Sequence, residues 1–359
     1  MTFDSRIINL FGIDLPIIQA PMAGANGSAM VIAVSEAGGL GSLPCAALDT
    51  EQVRAEIGII RQQTSKPINV NFFCHTPPDP DPAREATWRE TLGAYYDEYG
   101  IDINDVPPAP NRSPFNEDFC TIMEEMKPEV VSFHFGMPDP ALVDRVKTAG
   151  CKVICSATSA DEAVFLEQHG CDAIIAQGYE AGGHRGMFLT DDIATQAGTM
   201  ALVPQVVDAV SVPVIAAGGI ADGRSIAAAL MLGASAVQIG TAYLFTPESL
   251  ATDLHREALR SARDDQTALT NVFTGRPSRG LINRVMRDVG PMSDAAPAFP
   301  TAAGALAPLK AKAEEKGLSD FTMLWSGQAA RLGRETGAGD LTRTLAEDAR
   351  KRLAAFDTF

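Results

Sequence analysis

Basic residues are scarce in this chain. Lys and Arg number 29 against 45 Asp and Glu in 359 residues, a formal net charge of −16. A surface of that sign repels nucleic acid and anionic lipid, although one pocket on it can still be basic. Long apolar runs are missing too. No stretch of about 18 apolar residues suggests a membrane span. The opening MTFDSRIINLFGIDLP has no basic start followed by an apolar run, so no secretory signal is expected. The cysteines, Cys45, Cys74, Cys120, Cys151, Cys155 and Cys171, form no C-x-x-C pair, which removes zinc-ribbon and thioredoxin readings. They lie mostly in apolar runs and are expected to be small buried side chains in a reducing, cytoplasmic setting. No H-E-x-x-H or comparable ligand spacing appears, so no metal is expected. Tyrosine is sparse, limited to Tyr95, Tyr96, Tyr99, Tyr179 and Tyr243.

What the chain does have is a repeating rhythm. Short apolar runs recur: IIQA (17–20), GLGSL (39–43), INVNFF (68–73), VVSFHF (130–135), KVICSA (152–157), DAIIAQ (172–177), PVIAAG (213–218) and AVQIGT (236–241). Rich in Val and Ile and without polar alternation, they read as strands buried on both faces. Helical segments lie between most of them. Met30, Ala33, Val34 and Ala37 fall on one helical face, with Ser28 as the expected cap; Ile226, Ala229, Leu230 and Gly233 fall on another. Strand and helix alternating eight times predict an α/β TIM (β/α)8 barrel, with an open doubly wound sheet as the structural alternative. Two stretches break the rhythm. Residues 74–116 form a proline-flanked excursion after the third strand. From 242 onward the chain reads as a mainly helical subdomain, closed by a helix with Asp340 as its expected cap. The expected division is therefore a barrel over 1–241 and a subdomain over 242–359, whose tail returns to the barrel near 324–330.

In such barrels the chemistry sits at the C-terminal ends of the strands. There this chain places PMAG after the first run, NFFCH and HFG at the ends of the third and fourth, and GYEAGGHRG (178–186) after the sixth. GGIADGR follows the seventh run, and QIGT ends the eighth. Glycine-rich turns after the seventh and eighth strands commonly hold a phosphate on backbone N–H groups and a helix N-terminus. A phosphorylated cofactor or substrate is expected on those grounds. A lone histidine is usually a core residue with a satisfied hydrogen bond. The strand-end positions of His134 and His184 favour a role in chemistry, and three flanking glycines strengthen this for His184. His75 reads as a core histidine, and His169 and His255 as solvated. Glu180 and Arg185 are expected to pair with each other or with the loop backbone.

These segments together resemble the class I nitronate monooxygenases, formerly 2-nitropropane dioxygenases. The likeness rests on QAPMAG (19–24), SEAGGLGS (35–42), NVNFFCH (69–75), SFHFG (132–136), QGYEAGGHRG (177–186), PVIAAGGIADGR (213–224), AVQIGT (236–241) and LWSGQAA (324–330), in order along nearly the whole chain. The resemblance implies a noncovalent FMN and oxidation of alkyl nitronates such as propionate 3-nitronate by molecular oxygen, to a carbonyl compound with nitrite or nitrate. It implies that Pro21, Met22, Ala23 and Gly24 lie along the ring and that Asn71 and Gln177 hydrogen-bond it. Gly182, Gly183, Gly218 and Gly219 would cradle the ribityl chain and phosphate; Gln238, Gly240, Thr241 and Ser326 would complete the cup. His184 would be the active-site histidine, acting as a base towards a neutral nitroalkane or as a donor towards a nitronate, the resemblance favouring the donor. His134 and Lys310 would line the substrate pocket, the lysine attracting an anionic end. Phe299 and Ala303 stand where tyrosines are expected, which leaves the substrate open. A flavin-dependent NAD(P)H enoyl-acyl-carrier-protein reductase is the alternative, since AGGH and the GGI turn are shared with that group.

Overall fold

The computed structural model describes residues 4–107 and 112–356. Among them the strands are β1 (Ile17–Gln19), β2 (Gly41–Pro44), β3 (Ile68–Phe73), β4 (Val130–His134), β5 (Lys152–Ala157), β6 (Ala173–Gln177), β7 (Gly183–His184), β8 (Val214–Ala217), β9 (Ala236–Ile239), β10 (Thr267–Thr270) and β11 (Ser278–Leu281). Eight of them run parallel in the order β1-β9-β8-β6-β5-β4-β3-β2. A bridge between Ile18 and Leu40 joins the two ends. Gln19 N–H donates to Leu40 O, and Leu40 N–H to Ile17 O, both at 2.9 Å. The sheet is therefore a closed TIM barrel with helices outside, and the open alternative falls.

Burial on both faces explains the unbroken apolar runs. Ile18, Ile154 and Ile215 point inward and pack with Ile7 and Phe11 of the Arg6–Phe11 helix, which plugs the bottom of the barrel. Their neighbours Ile17, Val153 and Val214 point outward, under helices that contribute Val31, Val34 and Ile226. Parallel register then aligns the strand ends. Phe73 pairs with His134 and Asn71 with Ser132; Gln177 pairs with Ala217, and Ala217 with Gln238.

Two expected caps are replaced by carboxylates from elsewhere in the chain. Gly27 holds the cap position of the Ser28–Glu36 helix, and Ser28 N–H donates to Glu56 at 3.1 Å. The last helix, Ala338–Phe356, starts two residues before Asp340, with Ala338 N–H on the Glu248 carboxylate at 3.0 and 3.1 Å. Asp340 instead pairs with Arg343 at 2.7 Å.

The excursion after β3 rejoins the barrel at Phe115, which packs against Phe72 and Phe133, but its middle turns away from it. Its helices Pro82–Thr91 and Gly93–Tyr99 form a second core with the Ala302–Glu315 helix, in which Trp88, Tyr96, Leu306, Leu309 and Phe321 are buried. Polar ends of the aromatics are satisfied by that helix: Trp88 Nε1 donates to Ala302 O at 3.2 Å and Tyr96 Oη to Ala305 O at 2.7 Å. The part of the chain after 242 also carries β10 and β11, which form an antiparallel sheet in the order β10-β11-β7. Through β7, that sheet takes hold of the loop containing His184.

Trp88 is fully buried, so Trp88→Ala removes the largest contact of this second core. Urea unfolding should show a loss of about 3–5 kcal/mol, and limited proteolysis should cut first within 82–99. A stability unchanged within about 1 kcal/mol would refute the packing described here.

Candidate active site

The strand ends surround one cavity of about 380 Å³. Residues 178–186, which cross its rim, are held from three directions. Gln177 clamps the loop, accepting from Gly186 N–H at 2.8 Å and donating to His184 O at 3.0 Å. Arg185 is fully buried, and it donates to Gly178 O at 2.7 Å, to Gln177 O at 2.8 Å and to Gln196 Oε1 at 2.9 Å. Glu180 takes no part in that network; its carboxylate accepts from Thr199 N–H and Oγ1, each at 2.8 Å, at the start of the Thr199–Ala209 helix. Of the two expected roles, the backbone one holds for Arg185. Gly182 has its own reason to be glycine. A Cβ there would lie 2.4 Å from Gly327 N, so only glycine lets the 326–327 segment close against the loop. At Gly183, which lines the cavity, a Cβ would meet nothing within 4 Å, and it is the left-handed φ of 73° that favours glycine.

His184 lies in β7, paired with Ser278 of β11. Its Nε2 is 2.9 Å from Thr274 Oγ1, while its Nδ1 has no partner among the described residues. Phe73, Phe135, Phe299 and Trp325 surround the ring at centroid distances of 5.4–6.0 Å. His134 sits behind it. His134 Nε2 is 3.2 Å from His184 O, and its Nδ1 is 3.0 Å from Ser156 Oγ. A carbonyl only accepts, so Nε2 carries the proton and Nδ1 accepts from the serine. Burial pushes both imidazoles far below the ordinary histidine value, His134 to about 3, and the guanidinium charges of Arg112 and Arg276 act in the same direction. Both rings are therefore neutral near pH 7. Arg276 lies over the Phe135 ring at 4.1 Å. Phe135 itself has φ of 72°, a left-handed turn that few non-glycine residues adopt.

The cavity gathers all the residues singled out from the sequence: Pro21, Met22, Ala23, Gly24, Asn71, His134, Gln177, Gly182, Gly183, His184, Gly218, Gly219, Gln238, Gly240, Thr241, Lys310 and Ser326. Their local states differ. Asn71 donates through Nδ2 to Ser132 Oγ at 2.9 Å and to Ser132 O at 3.2 Å. Gln238 Oε1 is buried without a partner. Ser326 Oγ donates to Gly327 O at 3.0 Å, and Thr241 Oγ1 accepts from Gly327 N–H at 2.9 Å. Lys310 forms an ion pair with Glu314 at 3.5 Å, so its charge is largely offset. The helix N-terminus after GGIA is not free for a phosphate: Asp222 caps it, accepting from Arg224 and Ser225 N–H, and Gly223 N–H donates to Asp348 at 3.2 Å. The N–H groups of Gly219, Ile220 and Gly240 have no acceptor among the described residues. They, not the helix end, are the backbone donors of this turn that remain open.

Some expectations about histidine change. His255 is buried rather than solvated, lines the cavity and lies 3.0 Å from Trp325 O. His75 is buried as expected; among the described residues neither ring nitrogen makes a well-formed hydrogen bond, the Arg112 backbone being the polar group beside it, and its ring packs edge-on against Phe299 at 4.8 Å. His169 is exposed and stacks on Phe165 at 3.8 Å. Neither Phe299 nor Ala303 lines the cavity; Phe299 lies behind His184 in an apolar cluster with Phe73 and Phe135. Sequence reading missed Arg112, Thr274 and Glu314. The i, i+4 spacing of Lys310 and Glu314 could have flagged their pairing. Arg112 and Thr274 carry no local signal, because their places depend on how distant segments meet.

A family model described as nitronate monooxygenase matches residues 4–348. The chain is 44% identical over 351 residues to a nitronate monooxygenase of Pseudomonas aeruginosa, covering 96% of this chain and 99% of the relative. It is 39% identical over 359 residues to one of Paraburkholderia phytofirmans, covering 98% and 97%. Among solved structures, the nitroalkane oxidase from Streptomyces ansochromogenes aligns over 98% of this chain and all of its own, with TM-score 0.87 and 37% identity. FabK from Thermotoga maritima aligns over 100% of this chain and 99% of its own with TM-score 0.73 and 28% identity.

His75 makes stability depend on pH. Burial lowers its folded value to about 4, against about 6.5 in an unfolded chain. Above 6.5 both states are neutral. Between 6.5 and 4 only the unfolded state takes the proton, so stability falls as pH drops through that window. His75→Phe should remove roughly 3 kcal/mol of that loss, read as a shallower fall of Tm between pH 6.5 and 4. An identical pH profile in the variant would refute the assignment.

Proposed function

We propose that this chain, which belongs to the nitronate monooxygenase family, binds FMN in the strand-end cavity and oxidises alkyl nitronates of the propionate 3-nitronate type with molecular oxygen, giving a carbonyl compound and nitrite or nitrate. The observation that carries this reading is a neutral His184, its Nδ1 free, facing the same cavity as a cradle of unpaired backbone donors. The residues fit a flavin. The buried Gln238 Oε1 lacks a donor, which a ring N–H or a ribityl hydroxyl supplies. Gly219, Ile220 and Gly240 offer N–H groups to a phosphate, Pro21 to Gly24 form the wall after β1, and Gly183 leaves open space beside the backbone. These residues would hold a flavin, whose redox chemistry would supply the transfer of electrons from the substrate to oxygen.

The protein's own part is to hold an anion dry and oriented. Thr274 Oγ1 lies 2.9 Å from His184 Nε2; in this reading the hydroxyl donates to that nitrogen, which puts the imidazole proton on Nδ1. A neutral N–H donor of this kind suits an already ionised nitronate, since no base is needed to make it. His134 braces the His184 carbonyl from behind. The rings of Phe73, Phe135 and Trp325 shield the site from water. The six unpaired thiols support the cytoplasmic setting.

His184→Asn should keep its yellow flavin but lose about 100-fold or more in kcat/KM with propionate 3-nitronate. An unchanged kcat/KM would sink the role given to His184. Anaerobic mixing of the wild type with NADPH should leave the flavin absorbance in place. Prompt bleaching by NADPH, with the nitronate inert, would move the chain to the enoyl reductase alternative.

A further inference from the structure

Two cationic chains, Lys310 and Arg112, are among the described residues lining the cavity. Glu314, which also lines it, offsets Lys310. Nothing offsets Arg112: among the described residues its guanidinium meets no carboxylate and no hydrogen-bond acceptor. The sequence explains why. From Val106 to Asn116 there is no acidic residue, and Glu117, just beyond, is engaged by Arg145. Burial lowers the Arg112 value with no opposing anion, and after burial Arg112 is the largest charge acting on the His184 ring. A half-buried guanidinium without a partner is costly for the empty protein. It becomes favourable when a ligand brings the anion.

We propose that Arg112 is the specificity-determining residue of this cavity and that its guanidinium forks a planar oxyanion of the substrate. The inference rests on the nitronate reading above and deepens it. Carboxylate and nitronate are both planar groups with two oxygens on one atom, and both match the guanidinium bidentately. Arg112 thereby supplies the polar contact that Phe299 and Ala303 do not.

The test uses FMN-loaded Arg112→Met and Arg112→Lys. Steady-state kinetics are run with propionate 3-nitronate and with propyl 1-nitronate, which lacks the carboxylate. Binding of 3-nitropropionate is followed by the change it causes in flavin absorbance. Arg112→Met should raise KM for propionate 3-nitronate and Kd for 3-nitropropionate about tenfold to hundredfold, with kcat changed less than threefold. Arg112→Lys should recover only part of this, because an ammonium cannot fork. If KM for propyl 1-nitronate stays level, the fork takes the carboxylate; if it rises equally, the fork takes the nitronate oxygens. Should Arg112→Met fail to fold, Arg112→Lys carries the same comparison. KM and Kd within twofold of wild type in a folded, flavin-loaded variant would overturn the proposal. A wild type inert towards both nitronates, with 3-nitropropionate binding still lost in Arg112→Met, would overturn the nitronate reading and keep the anion site.

Discussion

A positive charge buried without a carboxylate partner fixes the top of this barrel. Arg185 spends its donors on two backbone carbonyls and one amide oxygen. Neutral acceptors repay the desolvation of a guanidinium only if every one of them is well placed, so the loop has little freedom once Arg185 is inside. Gln177 then closes the same loop from the opposite side, with both halves of its amide used. The neighbouring histidine inherits that rigidity. The His184 carbonyl is gripped by Gln177 and His134, its Nε2 by Thr274, and only Nδ1 is left for a ligand.

The electrostatics of the site run against those of the molecule. The chain carries a formal charge of −16, yet the groups converging on His184 are the guanidiniums of Arg112 and Arg276, with Lys310 balanced by Glu314. Two consequences follow from that contrast. The imidazoles stay neutral, and so present hydrogen bonds rather than charge. An anion, meanwhile, meets a molecule of net negative charge but finds cations at this cavity, which favours small anions over large polyanions. The aromatic cluster behind His184 adds to the effect by keeping water, and with it screening, out of the contact.

Strand-end chemistry was legible in the sequence because the parallel barrel converts short local patterns into one ring. Asn71, Gln177 and Gln238 lie in or at the end of the apolar runs, and register brings them to one rim. Burial on both faces showed as unbroken Val and Ile runs, so the eight barrel strands could be placed within a residue or two. The rest was not legible because it depends on contacts far apart in the chain. Arg112 reaches the cavity from a proline-rich segment without periodicity. Thr274 arrives through the small sheet, whose β7 is two residues long and has no signature of its own. The helix cap at Ala338 comes from Glu248, ninety positions earlier. Where a partner was local, as with Lys310 and Glu314, spacing carried the information. The glycine-rich turn after β8 illustrates both sides: its free N–H groups could be expected, but Asp222 and Asp348 occupying the adjoining helix end could not.

Those long-range contacts also bind the parts of the chain into one structure. The 326–327 segment closes against Gly182, whose Cβ position it fills. β11 pairs with β7, and Gly280 bridges to Trp325 beside His184. The last helix adds Leu341, Leu345 and Ala349 to the same core as Ile226 of the helix after β8. The excursion stands on the Ala302–Glu315 helix, which carries Lys310 and Glu314 on its cavity side. A barrel without the later segments would therefore lose the partner of Gly182, the strand that holds His184 and one wall of the cavity together. In this architecture the histidine (His184), the cradle (Gly219, Ile220 and Gly240) and the cation (Arg112) come from sequence positions up to 128 residues apart, and the strand that holds the histidine comes from the C-terminal part of the chain. Ligand binding and global folding then share the same contacts, so an anion that pairs with Arg112 stabilises the closed arrangement of both.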